Sequence, residues 1–159
     1  MTENPFSISP NPRYCYLTAL HHSAVAKINY VIDDRQGLCT LIADIGHGKT
    51  TVLRYIYDQL QDRPEITVRL MTHPQYATDM AFLKAICLEF GLEPKRSKLQ
   101  QIGELQTFLV EEYKAGRNVV LLIDESQLLA GLQFELIRQL LNFETNTAKL
   151  ITIVMAGQR

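Results

Sequence analysis

Two glycines, a lysine and two threonines lie together in the run Ala43-Asp44-Ile45-Gly46-His47-Gly48-Lys49-Thr50-Thr51. Gly46 and Gly48 let the backbone turn tightly and point successive N–H groups into one hollow, with no side chain to obstruct a close approach. Lys49 and Thr50 follow where a helix begins, so its unpaired N–H groups and the positive end of its dipole face the same hollow. Such a cradle takes phosphate: Lys49 reaches the β- and γ-phosphates of a nucleotide, and Thr50 offers a hydroxyl to Mg²⁺. The run fits the phosphate-binding loop pattern with Ala43 where the first glycine usually stands. That change is small if the backbone angles there are ordinary. Asp44, Ile45, Gly46, His47, Gly48, Lys49, Thr50 and Thr51 are the expected phosphate contacts.

A second polar group, Asp124-Glu125, ends the apolar run Val119-Val120-Leu121-Leu122-Ile123. An uninterrupted apolar strand belongs in the middle of a parallel sheet, and its C-terminal end opens on the same rim as the glycine loop. Asp124 would hold Mg²⁺ opposite Thr50, directly or through water. Glu125, one residue on, would orient or deprotonate the water that attacks the γ-phosphate. Taken alone, both acids could merely open a loop after a strand; an earlier strand carrying the glycine loop speaks against that. Gln158 follows the final apolar run. If that strand lies between the other two, Gln158 can touch the γ-phosphate or the attacking water; the alternative is a plain surface glutamine.

The elements that must position these groups alternate between two periodicities. Strands are expected over Leu38–Ala43, which reads as a buried strand, and over Ile66–Met71, Val119–Ile123 and Leu150–Ala156. Helices are expected over His22–Asp33, from the glycine loop to about Leu60, over Thr78–Phe90, over Leu99–Tyr113 despite Gly103, and over Leu132–Leu141. Gly91 and Gly116 are placed as helix stops. Strands alternating with helices predict an α/β fold of three layers, α/β/α, with a parallel sheet. Before them, Met1 to about Leu20 carries Pro5, Pro10 and Pro12 and reads as an extended arm, with Phe6, Tyr14, Tyr16 and Leu17 to dock it.

Composition sets bounds on function. The chain has 159 residues, 47% hydrophobic and 21% charged, enough for one ordinary globular domain. A net charge of −1 gives no global attraction to nucleic acid or anionic lipid. Lys95, Arg96 and Lys98 form a local basic cluster that reads as a solvated loop before it reads as a phosphate-backbone contact. Cys15, Cys39 and Cys87 have no paired spacing, which fits reduced thiols in a cytosolic setting, with Cys39 and Cys87 in the core. The apolar runs are far too short to span a bilayer, and the N-terminus has no signal-peptide core. His21 and His22 lack metal-ligand spacing and read as surface or capping residues; His73 reads as a loop residue.

With these motifs in place, the chain resembles the secretion-pathway ATPase A (ExeA-type) group of the AAA+ ATPases, a branch of the P-loop NTPases. The resemblance covers Pro5 to Gln158. It rests on Pro5-Phe6, Pro10-Asn11-Pro12-Arg13, GHGKTT, DESQ, Arg138-Gln139-Leu140-Leu141-Asn142-Phe143-Glu144-Thr145, Lys149-Leu150 and Gly157-Gln158. Departures are Ala43 for Gly, His47 for Thr, Ser126 for Ala and Arg159 where Pro is common; none removes a group the chemistry needs. The resemblance implies ATP as nucleotide, Mg²⁺ as cofactor, and self-association into a ring or filament. It also implies an arm close to adenine near Arg13 and Tyr14, and a last strand inserted between the loop strand and the Asp124 strand. Residues 1–20 are then an arm and 21–159 a partial AAA+ core that stops before the fifth strand and helical lid. The lid's nucleotide-sensing Arg and the arginine finger would be missing, so binding of Mg·ATP with feeble turnover is expected. The leading expectation is a cytoplasmic ATP-hydrolysing module powering assembly or transport in an envelope secretion system, attached to the inner membrane in a longer protein. The alternatives are an AAA+ regulator acting on DNA, as in transposition, a P-loop kinase, and a non-hydrolysing module that binds nucleotide structurally.

Overall fold

A computed structural model of the chain describes residues 17–158. The arm expected up to Leu20 falls outside it as far as residue 16, and with it Arg13, Tyr14 and Cys15; Arg159 also lies outside. Helix α1, Ala19–Asp33, begins inside that expected arm and three residues before the predicted His22. Its start is set by Thr18, whose Oγ1 accepts from the His21 N–H at 3.4 Å, while His21 Nδ1 accepts from the Thr18 N–H at 3.2 Å. This is a capping box with histidine at the third helical position instead of the usual Glu or Gln.

Strand β1 is Leu38–Ile42, α2 is Lys49–Gln61, β2 is Ile66–Met71 and α3 is Asp79–Glu89. Helix α4 is Lys98–Lys114, β3 is Asn118–Ile123, α5 is Gly131–Leu140 and β4 is Ile151–Gly157. Gly91 ends α3 with φ 75°, and the Leu92 N–H returns to the Cys87 carbonyl at 2.9 Å. That left-handed residue is one glycine adopts without strain.

The sheet has four strands in the order β1-β4-β3-β2, all parallel. Alternate residues of the central strands therefore feed two cores. Val120, Leu122, Val154 and Ala156 pack with Val25, Ile28 and Ile32 of α1 and Val52, Leu53 and Ile56 of α2. Val119, Leu121, Ile123, Ile151, Ile153 and Met155 pack with side chains of α3, α4 and α5, including Phe82, Leu109 and Leu136. The three-layer α/β/α arrangement is as predicted. Cys87 lies fully in the second core and Cys39 is half-buried beside the first; burial pushes both thiols up from their ordinary value.

The expectation of a buried first strand is corrected. Among the described residues β1 pairs only with β4, and Leu38 and Ile42 are 42% and 57% exposed. Leu-Cys-Thr-Leu-Ile is as apolar as a central strand, so composition does not distinguish the edge position.

The N-terminal rim of the sheet is tied by one carboxylate. Glu112 accepts from Arg117 Nε at 2.8 Å and from Thr67 Oγ1 at 2.5 Å. The Arg117 guanidinium is the main reason its carboxyl is held below the usual range, against the opposing effect of burial.

A candidate nucleotide site at the C-terminal rim

The glycine loop joins β1 to α2. Ala43 N–H donates to the Gly157 carbonyl at 3.3 Å, so the loop leaves β1 still registered against β4. Gly46 and Gly48 have φ 81° and 73°, a region where a side chain would be strained. A Cβ on Gly48 would also lie 3.0 Å from His21 Nε2. Because His21 Nδ1 accepts from Thr18, its Nε2 carries the proton and donates to the His47 carbonyl at 3.1 Å. The start of α1 is thus fastened to the loop.

Lys49 begins α2 and is 7% exposed. Its Nζ reaches back across the loop and donates to the carbonyls of Ala43 and Asp44, both at 2.8 Å. Thr50 Oγ1 donates to Asp124 Oδ2 at 2.6 Å, which joins the loop to the end of β3 past the intervening β4. Asp124 is 4% exposed, and its Oδ1 accepts from the Glu125 N–H at 2.9 Å. Glu125 has φ 54° and ψ 40°, a left-handed conformation rare for a residue with a side chain. It opens a short turn, Ser126–Leu128, in which Gln127 Nε2 donates to Glu125 Oε2. Gln127 Oε1 accepts from the Gln158 N–H at 3.1 Å.

Ile45, Gly46, Gly48, Lys49, Thr50, Glu125 and Gln158 line one cleft of about 280 Å³. The two halves of the predicted site therefore meet, and Gln158 stands beside them because β4 lies between β1 and β3. Asp44 and His47 are exposed and are not among the lining residues, and the His47 Nδ1 lies 3.3 Å from the Ile45 carbonyl. Thr51 is half-buried in the first turn of α2 and is not among the lining residues. A larger hollow of about 380 Å³ at the opposite rim is lined by Val110, Tyr113, Phe143 and Leu150 among others. It gathers no comparable set of chemical groups.

The donor set suits Mg²⁺. Among the described residues no three His, Cys, Asp or Glu side chains converge on a point. Thr50 lines the cleft, and Asp124, which is not itself among the lining residues, stands directly behind its hydroxyl; Mg²⁺ typically completes such a hydroxyl–carboxylate pair with phosphate oxygens and water. His73 stands at φ 55° in the exposed loop after β2, outside the cleft lining. The basic cluster is largely compensated: Lys98 pairs with Asp79 at 2.6 Å and Lys95 with Glu104 at 3.5 Å.

Two residues of the site escape sequence reasoning as participants, His21 and Gln127. His21 could be found from the Thr18-x-x-His21 capping spacing. Gln127 had only its place two residues past Glu125.

Sequence comparison identifies the family. The AAA domain family matches residues 32–159, and the chain belongs to it. Within that family it is similar to General secretion pathway protein A of Aeromonas hydrophila, 39% identical over 160 residues. The match takes in 99% of this chain and 29% of that relative, so the chain spans less than a third of the relative's length. The resemblance to the ExeA-type group is borne out. Among solved structures, Cdc6p from Pyrobaculum aerophilum superposes with a TM-score of 0.65 at 16% identity, over 98% of this chain and 42% of that one. The Aeropyrum pernix ORC2 protein, in ADPNP–ADP complexes, gives 0.65 at 12% identity, over 98% and 43%. At such identities these two establish the P-loop α/β fold alone. No helix of the described residues is long and apolar enough to cross a membrane.

Proposed function

We propose that this chain is an ATP-binding and ATP-hydrolysing module that powers assembly or transport in an envelope secretion system. The observation that carries the enzymatic part is the 2.6 Å contact between Thr50 and Asp124, with Lys49 and Glu125 lining the same cleft. Similarity to General secretion pathway protein A supports the secretion part.

The residues act as follows. The N–H groups at the start of α2 and the loop cradle the phosphates, and Lys49 exchanges its two loop carbonyls for phosphate oxygens. Thr50 and Asp124 would hold Mg²⁺, which would supply neutralisation of charge on the phosphates. Glu125 orients the attacking water and accepts its proton, while Gln158 faces the γ-phosphate from the end of β4. The chain's partners on this reading are ATP, further copies of itself in a ring or filament, and a secretion-system component. The DNA-directed alternative draws little from the basic cluster, two of whose three cations are ion-paired.

Titration with a fluorescent ATP analogue and phosphate release test the enzymatic part together. Lys49→Ala should weaken ATP binding at least tenfold, and Glu125→Gln should keep binding while cutting hydrolysis by about a hundredfold or more. Unchanged ATP affinity in Lys49→Ala would refute nucleotide binding here. Unchanged turnover in Glu125→Gln would leave a passive binder. Loss of exported protein from the culture medium on deleting the gene tests the secretion role.

A further inference from the structure

Gln127 stands outside the cleft lining, yet its side-chain amide touches both Glu125 and the end of β4. The NH₂ end donates to Glu125 Oε2, and the oxygen accepts from the Gln158 main-chain N–H at 3.1 Å. The partners dictate this orientation, because a carboxylate only accepts and a peptide N–H only donates. No other side chain of the turn can do both. Serine is too short, and a glutamate would present an acceptor and a second negative charge to Glu125.

The surroundings are built for close contact at this point. Gly157 precedes Gln158, and a Cβ there would lie 2.5 Å from Ser126 Oγ and 3.3 Å from Gln127 Oε1. The end of β4 is therefore packed against the turn, and a side chain at residue 157 would separate them. Glu125 itself sits in a left-handed conformation that needs support from its neighbours. Its carboxylate receives that support from Gln127.

We propose that Gln127 is a positioning residue for hydrolysis, whose amide ties the Glu125 carboxylate to the main chain of β4 at Gln158. This rests on the ATPase reading above and deepens it. Glu125 would abstract a proton from water at the γ-phosphate, and Gln158 would meet the same phosphate from β4. Joined through one amide, the acid and the strand end keep a fixed mutual position, and a shift of β4 against the phosphate carries Glu125 with it. An acid free to swing would spend most of its time out of line with the attacking water.

Amide exchange at Gln158, read by NMR without nucleotide, tests the link directly. Glu125→Ala removes the far anchor of Gln127 and does not touch Gln158. It should speed exchange at Gln158 by about two- to fivefold, as loss of support for one exposed hydrogen bond allows. Gln127→Met should speed it at least as much, and the double variant no further than Gln127→Met alone. In steady-state hydrolysis, Gln127→Met and Gln127→Glu should lower kcat about 10- to 100-fold with KM within twofold, the signature of misplaced geometry and not of lost binding. Exchange at Gln158 unaltered by Glu125→Ala overturns the inference whatever the turnover. Failure of the underlying ATPase reading would show separately, as unchanged ATP affinity in Lys49→Ala.

Discussion

Gly157→Ala is a single-methyl change whose effect can be worked out from the contacts at the end of β4. Gly157 is not among the glycines with positive φ, so an alanine there suffers no backbone strain. The penalty is purely one of space. The new Cβ would meet Ser126 Oγ at 2.5 Å, roughly 0.9 Å inside ordinary contact, with Gln127 Oε1 at 3.3 Å and Gln127 N at 3.5 Å behind it. Ser126 is only 9% exposed, so its hydroxyl has little room to swing aside. Overpacking of this kind costs about 1–3 kcal/mol, and the turn carrying Glu125 and Gln127 must yield. Urea unfolding should show that loss, and nucleotide titration should show ATP affinity lowered, since Gln158 and the Ala43 contact lie at the same strand end. The decisive sample is Gly157→Ala combined with Ser126→Ala. Removing the one close atom should restore most of the stability lost, because the next contacts are near ordinary distances. If the double variant is as unstable as Gly157→Ala alone, steric conflict with Ser126 is not the cause and the reasoning fails.

Other expectations concern the two rims of the sheet. Glu112 is held below its usual pKa first by Arg117, so its contribution is complete above the ordinary glutamate value, about 4.3, and fades as pH falls through the depressed one. Glu112→Gln should therefore lower stability at pH 7 by about 1–2 kcal/mol and flatten the acid limb of a stability–pH curve measured by urea unfolding. Parallel curves would count against it. Thr18→Ala removes the N-cap of α1 and should cost about 1 kcal/mol in thermal unfolding. It should also quicken amide exchange at His47, whose N–H donates to the Asp44 carbonyl and whose own carbonyl His21 holds from that cap; faster exchange confined to α1 would disprove the link.

Much of the site is legible in sequence because its chemistry is local. Gly46, Gly48, Lys49 and Thr50 announce a phosphate cradle within one turn, and Asp124-Glu125 announce themselves at the end of the most apolar strand. The helices follow from periodicity, and apart from the start of α1 the predicted limits fall within a residue of those observed. What could not be read depends on contacts across the fold. The exposure of β1 follows from having one neighbour, a property of strand order and not of Leu38–Ile42. That order came only through family resemblance, since the residues of β4 would suit an edge or a centre equally. The capping reading of His21 holds, but its grip on the His47 carbonyl in the glycine loop joins two distant segments and has no local signature. Gln127 and Gly157 gain their meaning from each other, thirty residues apart, and nothing within either segment reveals it.

The insertion of β4 between β1 and β3 has a consequence for biosynthesis. When the ribosome has completed the first three strands, Asp124 and the glycine loop belong to strands that are not neighbours, with an unfilled slot between them. The slot is closed by the latest of the four strands to be made, through parallel pairings of long sequence separation, which form slowly. On the nucleotide-binding reading, a nascent chain completes its cleft only after residues past 150 have emerged, so gain of ligand affinity during synthesis would mark arrival of β4.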